Sequence, residues 1–368
     1  MPILRTDTVQ PQILQDAILG AFAGVEKLVT SPAVVVNDSM PNTRGGDTVT
    51  VPYFSSMGEL DDVAEGVALT PSALVMTSEQ ATVTRSGKSF EVTEWARMAA
   101  NYADPYSEAA RQIVEMSARR IGKGLVDAAR TSLPAAMTRD VFNQSTPRTI
   151  DYDAVVEAKM LWGDEQDDIV GIYCHSKTFG DLLKIKSADG LPLLTDPADG
   201  SVPRFVGIPV TVSDRMRSDH PTVVATGTTP PTVPVTGDSN NADLRIEITT
   251  GGARGTAVFR YSVDGGTTWA TGVTTAATVT LGTTGLTAVF ATGTYATDNV
   301  YVSKPRHQTL LLKKGALVAW YNGAPSVKTF EDVAKDQVLA SVNVYWVAYR
   351  YSRLPGKTRG GVALLRHN

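Results

Sequence analysis

Cysteine is nearly missing from this chain. Cys174 is the only one in 368 residues, so no disulfide can form within the chain and no thiolate cage for a metal is available. A reducing cytoplasm suits such a sequence. No apolar run approaches the ~20 residues that a membrane-spanning helix needs, and the opening Met1-Pro-Ile-Leu-Arg-Thr-Asp lacks the basic start and apolar core of a leader. The expectation is a protein neither secreted nor inserted in a membrane. An excess of positive charge is missing too. The formal net charge of -4 argues against a dedicated nucleic-acid binder, because affinity for phosphates rests on clustered Lys and Arg that displace counterions.

What is present describes an ordinary globular chain. The hydrophobic fraction of 42% and charged fraction of 20% exclude wholesale disorder and fibrous repeats. The length fits two or three domains of about 100–200 residues each.

Residues 1–44 read as an arm, with one amphipathic stretch (Ile13, Ala17, Ile18, Phe22, Val25, Leu28) before the polar run Asn37 to Arg44. From Gly45 the pattern alternates through Val49, Val51 and Tyr53, meets an acidic patch (Glu59, Asp61, Asp62, Glu65), and alternates again through Ala81, Val83, Arg85, Phe90 and Val92. Residues 45–95 therefore predict two long strands joined by a wide, solvated tip. Asp104-Pro105 then opens a long helix, with Asp as N-cap, Pro at the first helical position and Glu108 in the first turn. Its apolar stripe is Val114, Ala118, Ile121, Leu125 and Ala128, against Glu108, Arg111, Glu115, Arg119 and Lys123. Carried to Ser132 it would be roughly 43 Å long. Gly122 and Gly124 weaken it by up to ~1 kcal/mol each relative to alanine, which predicts a kink or a close packing contact there.

From Asp151 the pattern becomes α/β. A helix around Ala154 to Leu161, the strand Ile169 to Tyr173, a second helix with Ser176 as N-cap, and the strand Phe205 to Val212 follow in order. Residues 221–304 differ in kind. Threonine makes up about a quarter of them, and lysine is absent until Lys304. Short alternating runs (Leu244 to Ile248, Val258 to Val263, Thr278 to Leu281, Val289 to Phe290, Val300 to Val302) between glycine turns predict an inserted all-β, immunoglobulin-like sandwich. After His307 the earlier domain resumes. Beyond Asp336 no acidic side chain remains, while Arg350, Arg353, Lys357, Arg359 and Arg366 accumulate.

This order of segments resembles the major capsid protein of tailed bacteriophages, the α+β Johnson fold of the Hong Kong phage type. The resemblance rests on sequence order and on Gly207-Ile208-Pro209-Val210-Thr211-Val212-Ser213, similar to a family motif Gly-Ile-Pro-Val-x-Val-Ser. It implies an N-terminal arm (1–44), an E-loop hairpin lying across a neighbouring subunit (45–95), a peripheral domain with a spine helix (96–150), an axial domain (151–220 and 305–335) interrupted by the insert (221–304), and peripheral C-terminal strands (336–368). The function it implies is self-assembly into hexamers and pentamers of an icosahedral head around double-stranded DNA, in a virion assembled in the host bacterial cytoplasm. Partners implied are a scaffolding protein, a portal, maturation factors and a decoration protein, with no membrane. The arm is too short for a fused scaffolding domain. An encapsulin-like compartment for protein cargo shares the fold and is the alternative.

Nothing in the sequence points to catalysis, a cofactor or a metal, so no enzyme is expected. Ser262-Val263-Asp264-Gly265-Gly266-Thr267-Thr268-Trp269 matches the Asp-box, Ser-x-Asp-x-Gly-x-Thr-Trp, repeated in sialidase propellers. A propeller needs several copies and one is present, so a structural hairpin is expected over a glycan-hydrolysing or glycan-binding site. Cys174-His175 places a thiol beside an imidazole, yet adjacent strand residues point to opposite faces. His220, His307 and His367 show no metal spacing. Gly356-Lys357-Thr358 lacks the leading glycine of a phosphate loop, since Tyr351 stands there. Lys88 is the only lysine of the hairpin; the resemblance allows a covalent link from it to a neighbour's asparagine, but a solvated lysine is the expected state.

Overall fold

The computed structural model describes residues 27–37, 48–54, 62–63, 71, 73, 75–93, 105–142, 148–186, 190, 192–194, 203–216, 218–220, 224–237, 239, 242–321, 326–332, 337–354, 357 and 359–368. They fall into two compact units, one within Met1–Ser132 and Lys313–Val362, the other within Leu133–Leu312 and Ala363–Asn368. No helix among the described residues is long and apolar enough to cross a membrane.

The first unit is organised by the strand Gln337–Arg350. One of its edges pairs antiparallel with Thr84–Thr93, from Gln337↔Thr93 to Trp346↔Thr84. The other takes Ser326–Asp332 along its first half and Leu317–Tyr321 along its second. Val34–Asn37 adds to Leu317–Tyr321 in parallel. β-Branched and aromatic residues together make up half of these five strands, as a pleated, half-buried surface favours. The long helix α1 (Pro105–Arg130) buries Ile113, Ala118, Ile121, Leu125, Val126 and Ala129. The stripe thus turns slightly from the predicted one, with Ala129 taking the buried position in place of Ala128. Asp104, the expected cap, lies outside the described residues. The helix ends where Ser132 adopts φ 54, and the Arg350 guanidinium donates to the Ser132 carbonyl oxygen at 3.0 Å.

Gly124 has a definite reason. A Cβ built there would lie 2.2 Å from Trp346 Cη2, so the absence of a side chain is what admits the indole against the helix. The ring is then fixed by Nε1 donating to Ser86 Oγ at 2.9 Å and by Arg120 over its face at 5.9 Å. Of the two expected outcomes, kink or close packing, this glycine provides the second.

The hairpin differs from its prediction in one respect. Thr48–Phe54 and Met76–Thr82 pair antiparallel from Thr48↔Thr82 to Phe54↔Met76, but the run from Ala81 to Val92 is two strands and not one. At Val83 the chain changes partner, and Thr84–Thr93 joins Gln337–Arg350. Cross-strand fit explains the switch. Asn343 accepts two hydrogen bonds from the Arg85 guanidinium at 2.9 and 3.1 Å, and its side chain crosses Gly87, where a Cβ would lie 2.5 Å from Asn343 Oδ1. Glu59, Asp61 and Glu65 of the tip lie outside the described residues, whereas Asp62 is exposed.

The second unit carries a six-stranded sheet in the order Thr138–Asp140, Val362–His367, His307–Lys313, Ile169–Cys174, Ile208–Val212, Arg204–Phe205. Helices α2 (Tyr152–Met160) and α3 (Ser176–Lys184) contribute to the core with it through Ala154, Val155, Ala158 and Leu182. Asp151 caps α2 by accepting from the Ala154 amide at 2.7 Å while Arg148 binds its carboxylate at 2.7 and 2.8 Å. The predicted strand Phe205 to Val212 is interrupted. Val206 and Gly207, at φ 52 and 76, make a two-residue turn that folds Arg204–Phe205 back on Ile208–Val212. Residues 133–142, 148–150 and 363–368 belong to this unit, and residues 317–321 and 326–332 to the first. Long-range pairing is the reason. Val362–His367 lies parallel to Thr138–Asp140, a partnership that no local pattern reveals.

Between Val224 and Ser303 the described chain is all strand and turn. Ala270–Thr274, Val258–Ser262, Leu244–Thr250, Val300–Ser303 and Val224–Thr226 form one antiparallel sheet; Val235–Thr236, Thr287–Val289 and Thr278–Thr280 form another. Leu244, Ile246, Ile248, Phe259 and Tyr301 from the first share one core with Val235 and Ala288 from the second, joined by Leu281, Leu286, Phe290 and Tyr295. The alternation of buried Leu244, Ile246 and Ile248 with Arg245 and Glu247 is the period-two pattern of a sheet with one wet face.

Two glycine substitutions should part in sign. Gly124→Ala gains up to ~1 kcal/mol of helix propensity but displaces the Trp346 ring, and overpacking of ~1–3 kcal/mol outweighs that gain. Gly180→Ala on α3 meets nothing within 4 Å and is expected to stabilise by ~0.5–1 kcal/mol. Denaturant melts of both variants check the pair; equal signs would sink the packing argument.

Candidate functional site

The Asp-box turn is closed upon itself. Asp264 accepts from the Ser262 hydroxyl at 2.6 Å, the Thr267 amide at 2.9 Å, the Thr268 amide at 2.8 Å and the Thr268 hydroxyl at 2.6 Å. These bonds, Ser262 first, hold its carboxyl well below the usual carboxylate range. Gly265 and Gly266 take φ 72 and 107, and Trp269 Nε1 donates back to the Gly266 carbonyl at 2.9 Å. Arg260 lies over the Trp269 ring at 4.3 Å. The carboxylate is engaged by donors of its own turn, which is the arrangement of a structural hairpin.

Cys174 is fully buried in the sheet core, and burial pushes its thiol up to about 12. It is a packed thiol at neutral pH, not a nucleophile. His175, rather than the expected Ser176, caps α3, its Nδ1 accepting from the Lys177 amide at 3.2 Å. An imidazole one residue earlier reaches the second orphan amide that a serine at 176 cannot.

The histidines, unremarkable in sequence, converge in space. His220, His307 and His367 are 2%, 1% and 0% exposed. The His307 and His367 rings are 5.6 Å apart. His307 Nδ1 lies 2.5 Å from Ser218 Oγ and Nε2 2.7 Å from Lys177 Nζ. Desolvation first, then Lys177 and the other histidines, pushes His307 down to about 3; burial pushes His367 down to about 4 and lowers His220. Among the described residues no group of three or more His, Cys, Asp or Glu is arranged to hold a metal ion. The signal that could have found this cluster is the pair of polar runs, Ser218-Asp219-His220 and Ser303 to His307, that flank the insert on both sides.

The surface with the clearest unmet requirement is the hairpin. At its base Val49 and Ala81 pack with Val318, Trp320 and Val347, and the Tyr349 hydroxyl donates to the Glu79 carboxylate. Tyr349 stacks on Trp320 at 5.9 Å and meets Tyr351 edge-on at 5.6 Å. At its far end Phe54 and Met76, paired across the strands, are 59% and 65% exposed beside Val75. Lys88 is exposed opposite Val342. Of the basic tail, Arg350 caps α1 and Arg366 lies 3.9 Å from Asp140, so both act within their own units. Gly356 and Thr358 lie outside the described residues, and the Lys357 amide donates to the Leu354 carbonyl at 3.0 Å.

Asp264→Asn is expected to lower the melting temperature at neutral pH by several degrees. A carboxyl with a depressed folded pKa stabilises above the unfolded value of ~3.9 and loses that effect as pH falls below it, so the difference between variant and parent should shrink in acid. Thermal melts across that range check it; identical melts at neutral pH would overturn the role given to this turn.

No family model matches the sequence, and no curated protein matches it. Solved structures do match its fold. A chain of Microbacterium phage Oxtober96 superposes with TM-score 0.51 at 11% identity, covering 93% of this chain and 91% of that one. The capsid of an empty GTA particle gives 0.51 at 13% identity, covering 91% and 88%. The SrpI encapsulin of Synechococcus elongatus PCC 7942 gives 0.50 at 11% identity, covering 99% and 89%. With a long helix beside a sheet built on one central strand, a hairpin projecting from that sheet, and a second α/β unit, the chain has the major capsid protein fold.

Proposed function

We propose that this chain is a major capsid protein that self-assembles into the hexamers and pentamers of an icosahedral phage head enclosing double-stranded DNA. One observation carries the reading. The strands Thr48–Phe54 and Met76–Thr82 pair only with each other among the described residues, and their far end presents Phe54, Val75 and Met76 to water. A two-stranded ribbon is marginal by itself, so a neighbouring copy supplies the missing face. Identical surfaces on every copy, meeting head to tail, close into rings. The acids at the tip, Glu59, Asp61, Asp62 and Glu65, set register against basic residues of the neighbour more than they add affinity. The inner wall meets DNA without sequence preference, and a net charge of -4 suits a wall that does not grip it. Scaffolding, portal, maturation and decoration proteins are the expected partners, in a virion built in the host bacterial cytoplasm.

Residues 221–304 are assigned as an immunoglobulin-like sandwich on the outer surface. Support comes from the separate core described above and from its attachment, where Asp219 and Arg306 form an antiparallel bridge that brings the two connecting strands side by side. The encapsulin likeness favours a second reading, a compartment for protein cargo. Shell contents separate the two.

Replacing Phe54 and Met76 by Asp, or the four tip acids by Lys, should abolish shells seen by negative-stain microscopy while leaving the subunit folded. Exposed substitutions of this kind change stability by only about 0.5 kcal/mol. Normal shells from both variants would refute the hairpin as the assembly surface. Deleting residues 224–303 with a short glycine linker should leave shells of unchanged diameter lacking surface projections; failure of that variant to assemble while remaining folded would place the module inside the contacts.

A further inference from the structure

All four histidines of this chain meet at the junction that carries residues 224–303. The outgoing strand supplies Ser218, Asp219 and His220, the returning one Ser303, Arg306 and His307. Asp219 and Arg306 exchange backbone bonds at 2.8 and 3.3 Å and pair through their side chains at 2.5 and 2.9 Å, with Asp140 3.5 Å from the same guanidinium. Ser218 accepts from the Ser239 amide at 2.9 Å, which ties the module's first loop to the neck. Around this ion pair the imidazoles are enclosed. Lys177 Nζ donates to His307 Nε2, so the neutral ring carries its proton on Nδ1 and gives it to Ser218 Oγ. His220 lies between the Ser303 hydroxyl at 3.4 Å and the Ser239 carbonyl at 3.3 Å. His367 lies between the Thr309 hydroxyl at 3.2 Å and the Asn368 carbonyl at 3.3 Å.

From this geometry we infer that the neck is an acid-sensitive joint, closed while its imidazoles are uncharged and released by proton uptake, so that the module detaches from its carrier sheet while staying folded. A second proton on His307 would sit on Nε2, facing the Lys177 ammonium at 2.7 Å. The groups that act most strongly on His307 are Lys177, His367, His175 and His220. His367 feels Asp181 and Asp151 as well as Lys177, and His220 feels Asp219 and Asp243; burial outweighs these carboxylates in both cases. His175 has Asp214 at 3.8 Å, and Arg366 shares Asp140 with Arg306. A histidine whose pKa falls on folding stabilises the closed state fully above its ordinary value of ~6.5 and loses that contribution as pH drops toward the folded value. At about pH 5 His307, pushed down to about 3, and His367, pushed down to about 4, each favour the open neck by ~30-fold. The inference stands whether or not the chain builds a shell.

Hydrogen exchange on the full-length chain, corrected for intrinsic rates, tests it. Between neutral pH and about pH 5 the amides of Asp219, Ser239 and Arg306 should lose ~30-fold or more of their protection while those of Leu244–Thr250 keep theirs. His307→Gln combined with His367→Gln should remove most of that loss. Should that variant misfold, the four histidine ring resonances of the parent give the second measurement: His307 and His367 must take their protons in the same step as the neck amides open. Neck amides that stay protected at about pH 5, or imidazoles that titrate with no change in them, would overturn the joint.

Discussion

Gln337–Arg350 has both hydrogen-bonding edges taken, and that condition governs the first unit. A fourteen-residue strand exposed on either side would template pairing with other chains; here Thr84–Thr93 covers one side and two successive strands the other. Trp346 projects from it into the notch at Gly124, so the sheet and α1 are locked at one indole. Tyr349, three residues on, holds Glu79 at the root of the hairpin. One strand thereby sets the helix, the sheet and the base from which the projecting ribbon leaves.

Much of this was legible locally. The period-two runs at Leu244–Ile248 and Val258–Val263, the acid-bearing tight turn at Asp264, and the buried stripe Ala118, Ile121 and Leu125 follow from side-chain spacing alone, because each is decided within a few residues. Most of the failures have a cause at longer range, and the turn at Val206–Gly207 is local. Val83 looks like any strand residue until Asn343 and Gly87 are seen to pair, and Val206 looks like strand until Gly207 turns the chain under it. Ala363–His367 belongs to the second unit because it lies beside Thr138–Asp140, more than two hundred residues earlier. The histidine cluster left only the flanking polar runs as a signal, since burial and not spacing gives those rings their character.

Polarity is distributed unevenly through the second unit. Its sheet core and the module's core are apolar, yet the neck between them is a network of ion pair, hydroxyls and imidazoles. Such a network specifies geometry at a cost in desolvation, and each member depends on the others for satisfaction. An apolar neck would hold as firmly with less sensitivity to conditions. The polar one makes orientation of the module contingent on protonation, a property the two flanking cores do not share.

The interleaving of the chain has a consequence for biosynthesis. Val34–Asn37 waits for Leu317–Tyr321, Thr84–Thr93 for Gln337–Arg350, and Thr138–Asp140 for Val362–His367. Among the described residues, those of 224–303 find all their strand partners among themselves. During translation the threonine-rich module can therefore close first, while both carrier units stay open until the last few dozen residues leave the ribosome, so the ribbon has no finished root on any incomplete polypeptide.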